Sequence, residues 1–407
     1  MRVINFLFEN ARWLAAGALL AFLSSFGQTF FIAVFAGEIR SEFGLSHGQW
    51  GGIYTLGTTA SAIAMVWAGG LTDRFRVRVL GAVVLVMLAL ACLSMATVSQ
   101  AWLLPFVIFA LRIAGQGMTS HISVVAMSRW FVKTRGRALS IATLGFAVGE
   151  ALLPLIFVAL MVELDWRLLW MFAAAIAVSG IPVLLLLLTR ERTPQSMAMS
   201  DQSLGMEGRH WTRHQTLRHF LFWFMVPALM GPAAFVTAFF FQQVHFAAIK
   251  GWTHVQLVAL FPVYTGMSIA VMLISGWALD RWGTARLIPF MHLPMVLAFA
   301  LFAIAPSLPV ALTGLLFMAM TTGANSTLPN AFWAEFYGTR NLGSIKAMAA
   351  AVMVLGSALG PGITGVMIDA GIGLETQYMF VAAYFIGTSL LMRIGIARAR
   401  PFLSMAA

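Results

Sequence analysis

Charged residues make up only 10% of the 407 positions, and 14 of them are Asp or Glu against 25 Lys or Arg. A soluble domain carries about 25% charged residues, so this composition cannot cover a water-facing surface and no soluble fold is open to it. Cysteine occurs once, as Cys92 inside an apolar run, which excludes a disulfide framework and a cysteine-based metal site. The 8 histidines are dispersed, and no nucleophile stands within legible reach of a base. Neither a metal centre nor an integral-membrane enzyme is supported, and no cofactor is expected. What fills the chain is apolar: 60% of residues are hydrophobic and the mean hydropathy is +0.89.

A helix crossing the ~30 Å hydrocarbon layer needs about 20 apolar residues, so with short loops this length holds twelve spans. Windows of about 19 residues place them near 12–37, 48–70, 79–98, 102–127, 138–161, 166–189, 218–244, 253–277, 286–305, 308–333, 343–368 and 375–396. The first apolar stretch, about Ala11 to Gly37, is too long for a signal-peptide core and has no convincing cleavage site, so it reads as a span. The net charge of +11 does not point to nucleic acid, because the Lys and Arg sit in short gaps between apolar runs rather than on a patch.

Those gaps fix an expected orientation. With the N-terminus inside, only Arg40, Arg167 and Lys250 fall in outer loops and Arg112 falls within a span; every other Lys and Arg is inside. That asymmetry predicts an even number of spans, both termini cytoplasmic and a multi-pass protein of the inner membrane. The polar stretch with Pro194, Ser196, Ser200, Asp201, Gly205, Glu207 and Gly208 has no apolar periodicity. The predicted organisation is a six-helix bundle over 1–190, a cytoplasmic linker over 191–217 and a second six-helix bundle over 218–407. An internal repeat supports it: at one offset of 207 residues Gly69 matches Gly276, Asp73 matches Asp280, Arg74 matches Arg281, Gly149 matches Gly356 and Pro154 matches Pro361.

The second span ends Gly69-Gly70-Leu71-Thr72-Asp73-Arg74-Phe75-Arg76-Val77-Arg78, and the eighth ends Gly276-Trp277-Ala278-Leu279-Asp280-Arg281-Trp282-Gly283-Thr284-Ala285-Arg286. Here the chain resembles the major facilitator superfamily, whose signature is G-x-x-x-D-R-x-G-R after the second helix, often echoed after the eighth; Arg76 stands where the family has Gly. The basic loop Ser128 to Ala138, its counterpart Glu335 to Ser344, and Asp165-Trp166-Arg167 opening the sixth span are similar to the family too. The resemblance implies an all-α membrane fold of two pseudo-symmetric six-helix bundles working by alternating access. It also implies that Asp73, Arg74, Arg78, Asp280, Arg281, Arg286 and Glu335 form gating clusters, since Asp accepts from helix N-termini and Arg pairs with acids.

Arg112 lies about ten residues from either end of the fourth span. A cation there costs roughly 2.5–3.5 kcal/mol on insertion scales, so it should face the bundle interior with a partner. At 100° per residue Gln116, Thr119 and Ser123 share its face. It reads either as an anion-binding or proton-tuning group or as a structural Arg bonded to backbone carbonyls. Glu150, at similar depth in the fifth span, is its expected partner: desolvation favours the protonated carboxyl and a guanidinium the charged one, so the pair is a proton-coupled switch or a static ion pair. Pro227 and Gly231-Pro232 are expected to interrupt the seventh span. The family's first, fourth, seventh and tenth helices line its cavity, which makes Gln28, Arg112, Gln116, Thr321 and Asn325, with Tyr264 in the eighth, the candidate substrate-binding residues. His121 and His292 read as structural.

One central Arg with an acid near it favours a secondary transporter carrying a small organic anion such as a monocarboxylate with a proton; the overall look is loosely similar to monocarboxylate and oxalate/formate carriers. Those carriers use cations in the first or the eighth and eleventh helices, where this chain has none near the centres. The alternative is proton-coupled efflux of hydrophobic or cationic compounds past an adaptable wall of Phe and Met. The expected partners are a small-molecule substrate, protons and the bilayer, with no nucleic acid, and a monomer is expected.

Overall fold

Apolar runs of about 20 residues, each closed by Gly, Pro or a basic loop, fold as long helices because every backbone N–H and C=O must be satisfied within a segment that water does not reach. A computed structural model describes residues 2–131, 135–190, 204–338 and 341–403. Eleven of its helices are long and apolar enough to cross a membrane: Phe6–Gly27, Val77–Thr97, Ala101–Met127, Ala138–Leu160, Trp166–Leu187, Phe220–Phe241, His254–Leu279, Thr284–Ile304, Leu308–Tyr337, Met348–Asp369 and Leu374–Phe402. The helix His47–Ala68 completes the twelve at 22 residues; it is less apolar because Gly51, Gly52, Tyr54, Thr55, Gly57, Thr58, Thr59 and Ser61 fill its middle. Among the described residues there is no strand. Large apolar side chains point outward along the spans, among them Val83, Leu90, Phe106, Ile156, Leu273 and Ile363, a surface suited to lipid and not to water.

The chain divides into two compact units, one of Met1–Ala198 with Phe240–His245, the other of Met199–Phe239 with Phe246–Ala407. In the first, the first span packs on the fifth, the second on the fourth and the third on the sixth. In the second, the eighth packs on the tenth and the ninth on the twelfth, while the seventh meets the eleventh at Gly356 and Gly360. The glycines set these approaches: a Cβ on Gly145 would stand 2.0 Å from the Ala18 carbonyl oxygen, and one on Gly360 2.3 Å from that of Ala234. Only Gly lets the backbones come this near.

An ion pair recurs in each unit. Asp165 caps the sixth span through the Arg167 N–H at 2.8 Å. Arg167 pairs with Glu42 and donates to the Ala96 carbonyl at 2.9 Å, and the Trp166 Nε1–H reaches Glu42 at 2.9 Å. In the second unit Lys250 pairs with Glu375 at 2.5 Å and donates to the Ala303 carbonyl at 3.1 Å. Ala96 and Ala303 are themselves 207 residues apart.

One expectation is corrected. The seventh span runs unbroken from Phe220 to Phe241 through Pro227 and Pro232; the span that breaks is the first, which has no proline. Of the expected linker, 191–203 lies outside the described residues, and 204–217 is exposed or half-buried at most positions but buried at Gly205, Met206, Trp211 and Thr216. Met206 and Trp211 are buried with Phe336 and Tyr337, the Trp211 N–H donates to the Tyr337 carbonyl at 3.0 Å, and Asn341 Nδ2 donates to the Trp211 carbonyl at 2.9 Å. Burial of Trp211 and Met206 holds this part of the segment against the end of the tenth span.

Candidate functional site

The first span is helical over Arg2–Leu23, tightens to a 3₁₀ turn over Ser24–Gly27, passes through Gln28 in an extended conformation (φ −87°, ψ 154°) and resumes as the short helix Thr29–Ile32. Opposite the break, the fourth span widens to a π-type segment over Arg112–Thr119. Irregular backbone at this depth requires partners from neighbouring helices, and Arg112 is that partner. One guanidinium N–H donates to the Gly27 carbonyl at 3.1 Å, and the same nitrogen lies 3.4 Å from Thr29 Oγ1. The guanidinium sits 5.4 Å from the centre of the Tyr54 ring, in the range where a cation is drawn to an aromatic face. Thr29 Oγ1 and the Tyr54 hydroxyl are themselves hydrogen-bonded at 2.5 Å, so three spans meet in one polar cluster.

Glycines make this possible. A Cβ on Gly27 would lie 2.2 Å from the Leu111 carbonyl oxygen, and one on Gly115 would lie 2.6 Å from Gly27 Cα. With the backbones this close, Arg112 is 1% exposed. Its Nε–H is buried without a partner. A buried donor left unpaired costs about 1–3 kcal/mol, more for a charged group.

Arg112 therefore takes a carbonyl, a hydroxyl and a ring as partners, not Glu150. Glu150 is half-buried on the fifth span and makes contacts of its own. Its neighbour Gly149 is pressed against the first span, where a Cβ would stand 2.1 Å from Ser25 Oγ. Glu150 is thus one residue along from the contact with the segment that Arg112 holds.

The other predicted residues scatter. Gln28 is the extended residue of the break and is nearly buried, and Gln116 is half-buried within the π-type segment. Thr119 donates to the Ala114 carbonyl at 2.6 Å, and Ser123 donates to the Gly17 carbonyl of the first span at 2.7 Å. Thr321 is buried and donates to the Met291 carbonyl at 2.9 Å, which turns it toward the ninth span. The neighbour Thr322 instead receives the Tyr264 hydroxyl at 3.2 Å. Asn325 is half-buried. Thr29 and Tyr54 belong to the Arg112 cluster, and sequence reasoning missed both; the available signal was the Gly27-Gln28-Thr29 run of small and polar residues inside an apolar span.

In the loop clusters, Arg74, Arg281 and Arg286 are exposed and Arg78 is half-buried; the side chains of Asp73 and Asp280 lie outside the described residues. Glu335 is engaged, accepting from the Thr284 N–H at 3.2 Å and the Thr284 hydroxyl at 2.6 Å. Its carboxylate thus caps the turn that Gly283 opens at φ +72°. His121 and His292 lie outside the Arg112 cluster, and His292 is buried with its Nδ1 3.2 Å from Thr388 Oγ1.

Twelve spans in two repeated units, with a buried cation pinned to a broken span, define a membrane transporter and not an enzyme. The profile of the Major Facilitator Superfamily matches residues 17–361, and the chain belongs to that superfamily, whose transporters bind small-molecule substrates. No curated protein matches it in sequence. Solved structures share the fold. A bacterial homologue of the human lysosomal transporter Spinster, in an inward-facing, unoccupied conformation, is similar with a TM-score of 0.69 at 17% identity, covering 97% of this chain and 98% of its own. The nucleoside transporter NupG is similar with a TM-score of 0.71 at 14% identity, covering 94% and 98%.

Proposed function

We propose that this protein carries a small organic anion of the monocarboxylate kind together with a proton across the cytoplasmic (inner) membrane, acting as a monomer with both termini inside. The observation that carries the reading is Arg112. Its guanidinium is desolvated, lacks a carboxylate partner in its cluster and has an N–H with no acceptor. A substrate carboxylate supplies what the cluster lacks, a counter-charge and a second acceptor in fork geometry. Taking it, Arg112 gives up the Gly27 carbonyl, and the broken segment of the first span is released to re-pair. That segment is pressed on Gly149, so its movement reaches Glu150, where a proton is taken up or shed as substrate enters or leaves. Gln28, Thr29, Tyr54 and Gln116 form the polar wall around the anion in the first unit; Tyr264 and Asn325 stay as candidates in the second, while Thr321 is committed to the ninth span. Asp73, Arg74 and Arg78, and Asp280, Arg281, Arg286 and Glu335, gate the inner side. The likeness to NupG is one of fold, and a nucleoside would leave the charge of Arg112 unmatched.

Proteoliposome uptake of radiolabelled monocarboxylates under an imposed proton gradient tests this. Wild type is expected to accumulate the anion, Arg112→Ala to lose uptake, and Glu150→Gln to transport without pH dependence. If wild type moves no carboxylate and exports a cationic dye instead, efflux is the function and the anion reading is wrong. If Glu150→Gln keeps the wild-type pH profile, Glu150 is structural.

A further inference from the structure

The second unit holds a recess whose wall is part cationic and part apolar. It is an open recess of about 360 Å³ lined by Trp282, Ala285, Arg286, Glu335, Arg400 and Leu403. Three elements meet there: the turn after the eighth span, the end of the tenth, and the 3₁₀ turn Arg400–Phe402 after the twelfth. All three belong to the side of the unit that carries the Arg-rich loops.

Two cations line the recess. Arg286 and Arg400 are exposed, and among the described residues neither side chain makes a hydrogen bond or an ion pair. Glu335 shares the wall, but one of its carboxylate oxygens is already taken by the Thr284 N–H and hydroxyl. It therefore fixes the turn that presents Arg286 and does not pair with it. The formal charge of the three is +1, which one singly charged phosphodiester balances. Guanidinium groups match phosphate oxygens in geometry as well as charge.

The apolar half of the wall identifies what carries the phosphate. Trp282 is 44% exposed and Trp277 58% exposed, their rings edge to face at 5.5 Å. Tryptophans with free faces at the end of a membrane span settle at headgroup depth, where one side is apolar and the other wet. A soluble phosphorylated compound needs no such wall. A lipid does, because its glycerol and upper acyl carbons lie directly under its phosphate, and basic recesses at the ends of spans hold anionic headgroups.

We propose that this recess is a binding site for the phosphate group of an anionic lipid, Arg286 and Arg400 taking the phosphate oxygens while Trp282 and Leu403 pack on the glycerol and the start of the chains. The site lies within the second unit; it shares Arg286 and Glu335 with the proposed inner gate and shares no residue with the Arg112 cluster, and its test reads lipid binding rather than transport.

Native mass spectrometry and thermal unfolding of the full chain in neutral detergent test it, with short-chain phosphatidylglycerol, the matching phosphatidylcholine, and inorganic phosphate as probes. Phosphatidylglycerol is expected to remain bound and to raise the unfolding temperature, with phosphatidylcholine doing neither. Arg286→Gln with Arg400→Gln is expected to weaken phosphatidylglycerol binding at least tenfold while unfolding like wild type without lipid, since both side chains are exposed. Arg286→Lys with Arg400→Lys, which keeps charge and loses the fork, is expected to fall between. Equal binding of the two lipids, or undiminished phosphatidylglycerol binding by the Gln variant, overturns the proposal. Inorganic phosphate that competes the lipid away confirms that the recess reads the phosphate; inorganic phosphate that binds where phosphatidylglycerol does not shows that the ligand is a free solute and overturns the lipid assignment.

Discussion

The two six-helix units share their pairings and differ in what fills them. At the 207-residue offset that aligns Asp73 with Asp280, Arg112 falls on Ala319, Gln28 on Phe235, Thr29 on Val236 and Tyr54 on Phe261. Every member of the polar cluster in the first unit has an apolar counterpart in the second. The backbones follow: the first span breaks at Gln28 and the fourth widens at Arg112, while the seventh and tenth run unbroken as Phe220–Phe241 and Leu308–Tyr337. Around Phe235 the second unit has rings instead, with Tyr384 at 5.1 Å, Phe385 at 5.8 Å and Phe299 at 6.4 Å between centroids. Duplication supplied one scaffold twice, and among the described residues the one fully buried cation, Arg112, stands in the first copy.

Moving the cation across the repeat breaks the comparison most severely. Ala319 is fully buried, and the counterparts of Thr29 and Tyr54 in this unit are Val236 and Phe261, so Ala319→Arg would bury a guanidinium without the partners that Arg112 has, at a cost of about 3–5 kcal/mol, and is expected to abolish recovery of folded protein by size-exclusion chromatography. Arg112→Ala costs less, about 1–3 kcal/mol for the stranded Gly27 carbonyl, and should yield folded protein that does not transport. Folded, monodisperse Ala319→Arg would show that the second unit can hold the cation and that the asymmetry is no constraint.

The close approaches are where the units agree, and the next effect should be symmetrical. Gly145→Ala and Gly360→Ala each drive a methyl group into a backbone carbonyl, of Ala18 and Ala234. Overpacking of this kind costs about 1–3 kcal/mol, so both are expected to lower the unfolding temperature by similar amounts. A large loss in one and none in the other would mean that the first–fifth and seventh–eleventh contacts are not equivalent.

What the sequence made legible follows the same divide. Apolar runs and basic loops are properties of single segments, and they marked the spans and the paired loop motifs. The repeat at Asp73 and Asp280 carried the family. Arg112 was also legible, because a cation in an apolar run is conspicuous on its own. Its partners were not, since Thr29 and Tyr54 are ordinary polar residues on other helices and only packing brings them together. The helical wheel also assumed 100° per residue, which fails inside the π-type segment Arg112–Thr119. Proline pointed to the wrong span: a helix can carry Pro227 and Pro232 without breaking, and can break at Gln28 without proline when a neighbouring side chain takes the freed carbonyl.

The ion pairs give a smaller effect. Lys250 has only 7% of its side chain exposed and Arg167 24%. Glu375→Gln strands a nearly buried ammonium with the Ala303 carbonyl alone, whereas Glu42→Gln leaves Arg167 partly in water with the Ala96 carbonyl. Glu375→Gln is expected to cost about 1–2 kcal/mol and Glu42→Gln less than about 1 kcal/mol, read by chemical denaturation. Equal losses would mean that burial does not separate the two pairs.

The smallest effect is one of pH, and it belongs to the first unit, which takes in Phe240–His245. The His245 ring lies 4.2 Å from that of His47. Burial, then His47 and Arg40, hold its imidazolium pKa down at about 4. An unfolded chain protonates this group near pH 6.5, so between those values the unfolded state binds the proton and the folded state does not. Stability from this contact is complete above about pH 6.5 and is lost as pH falls toward 4. His245→Asn should therefore narrow the difference in unfolding temperature between pH 7.5 and pH 5. Glu375→Gln, whose partner is a lysine in the other unit, should leave that difference at its wild-type size. If His245→Asn is as acid-sensitive as wild type, the pair of imidazoles contributes nothing to the pH response.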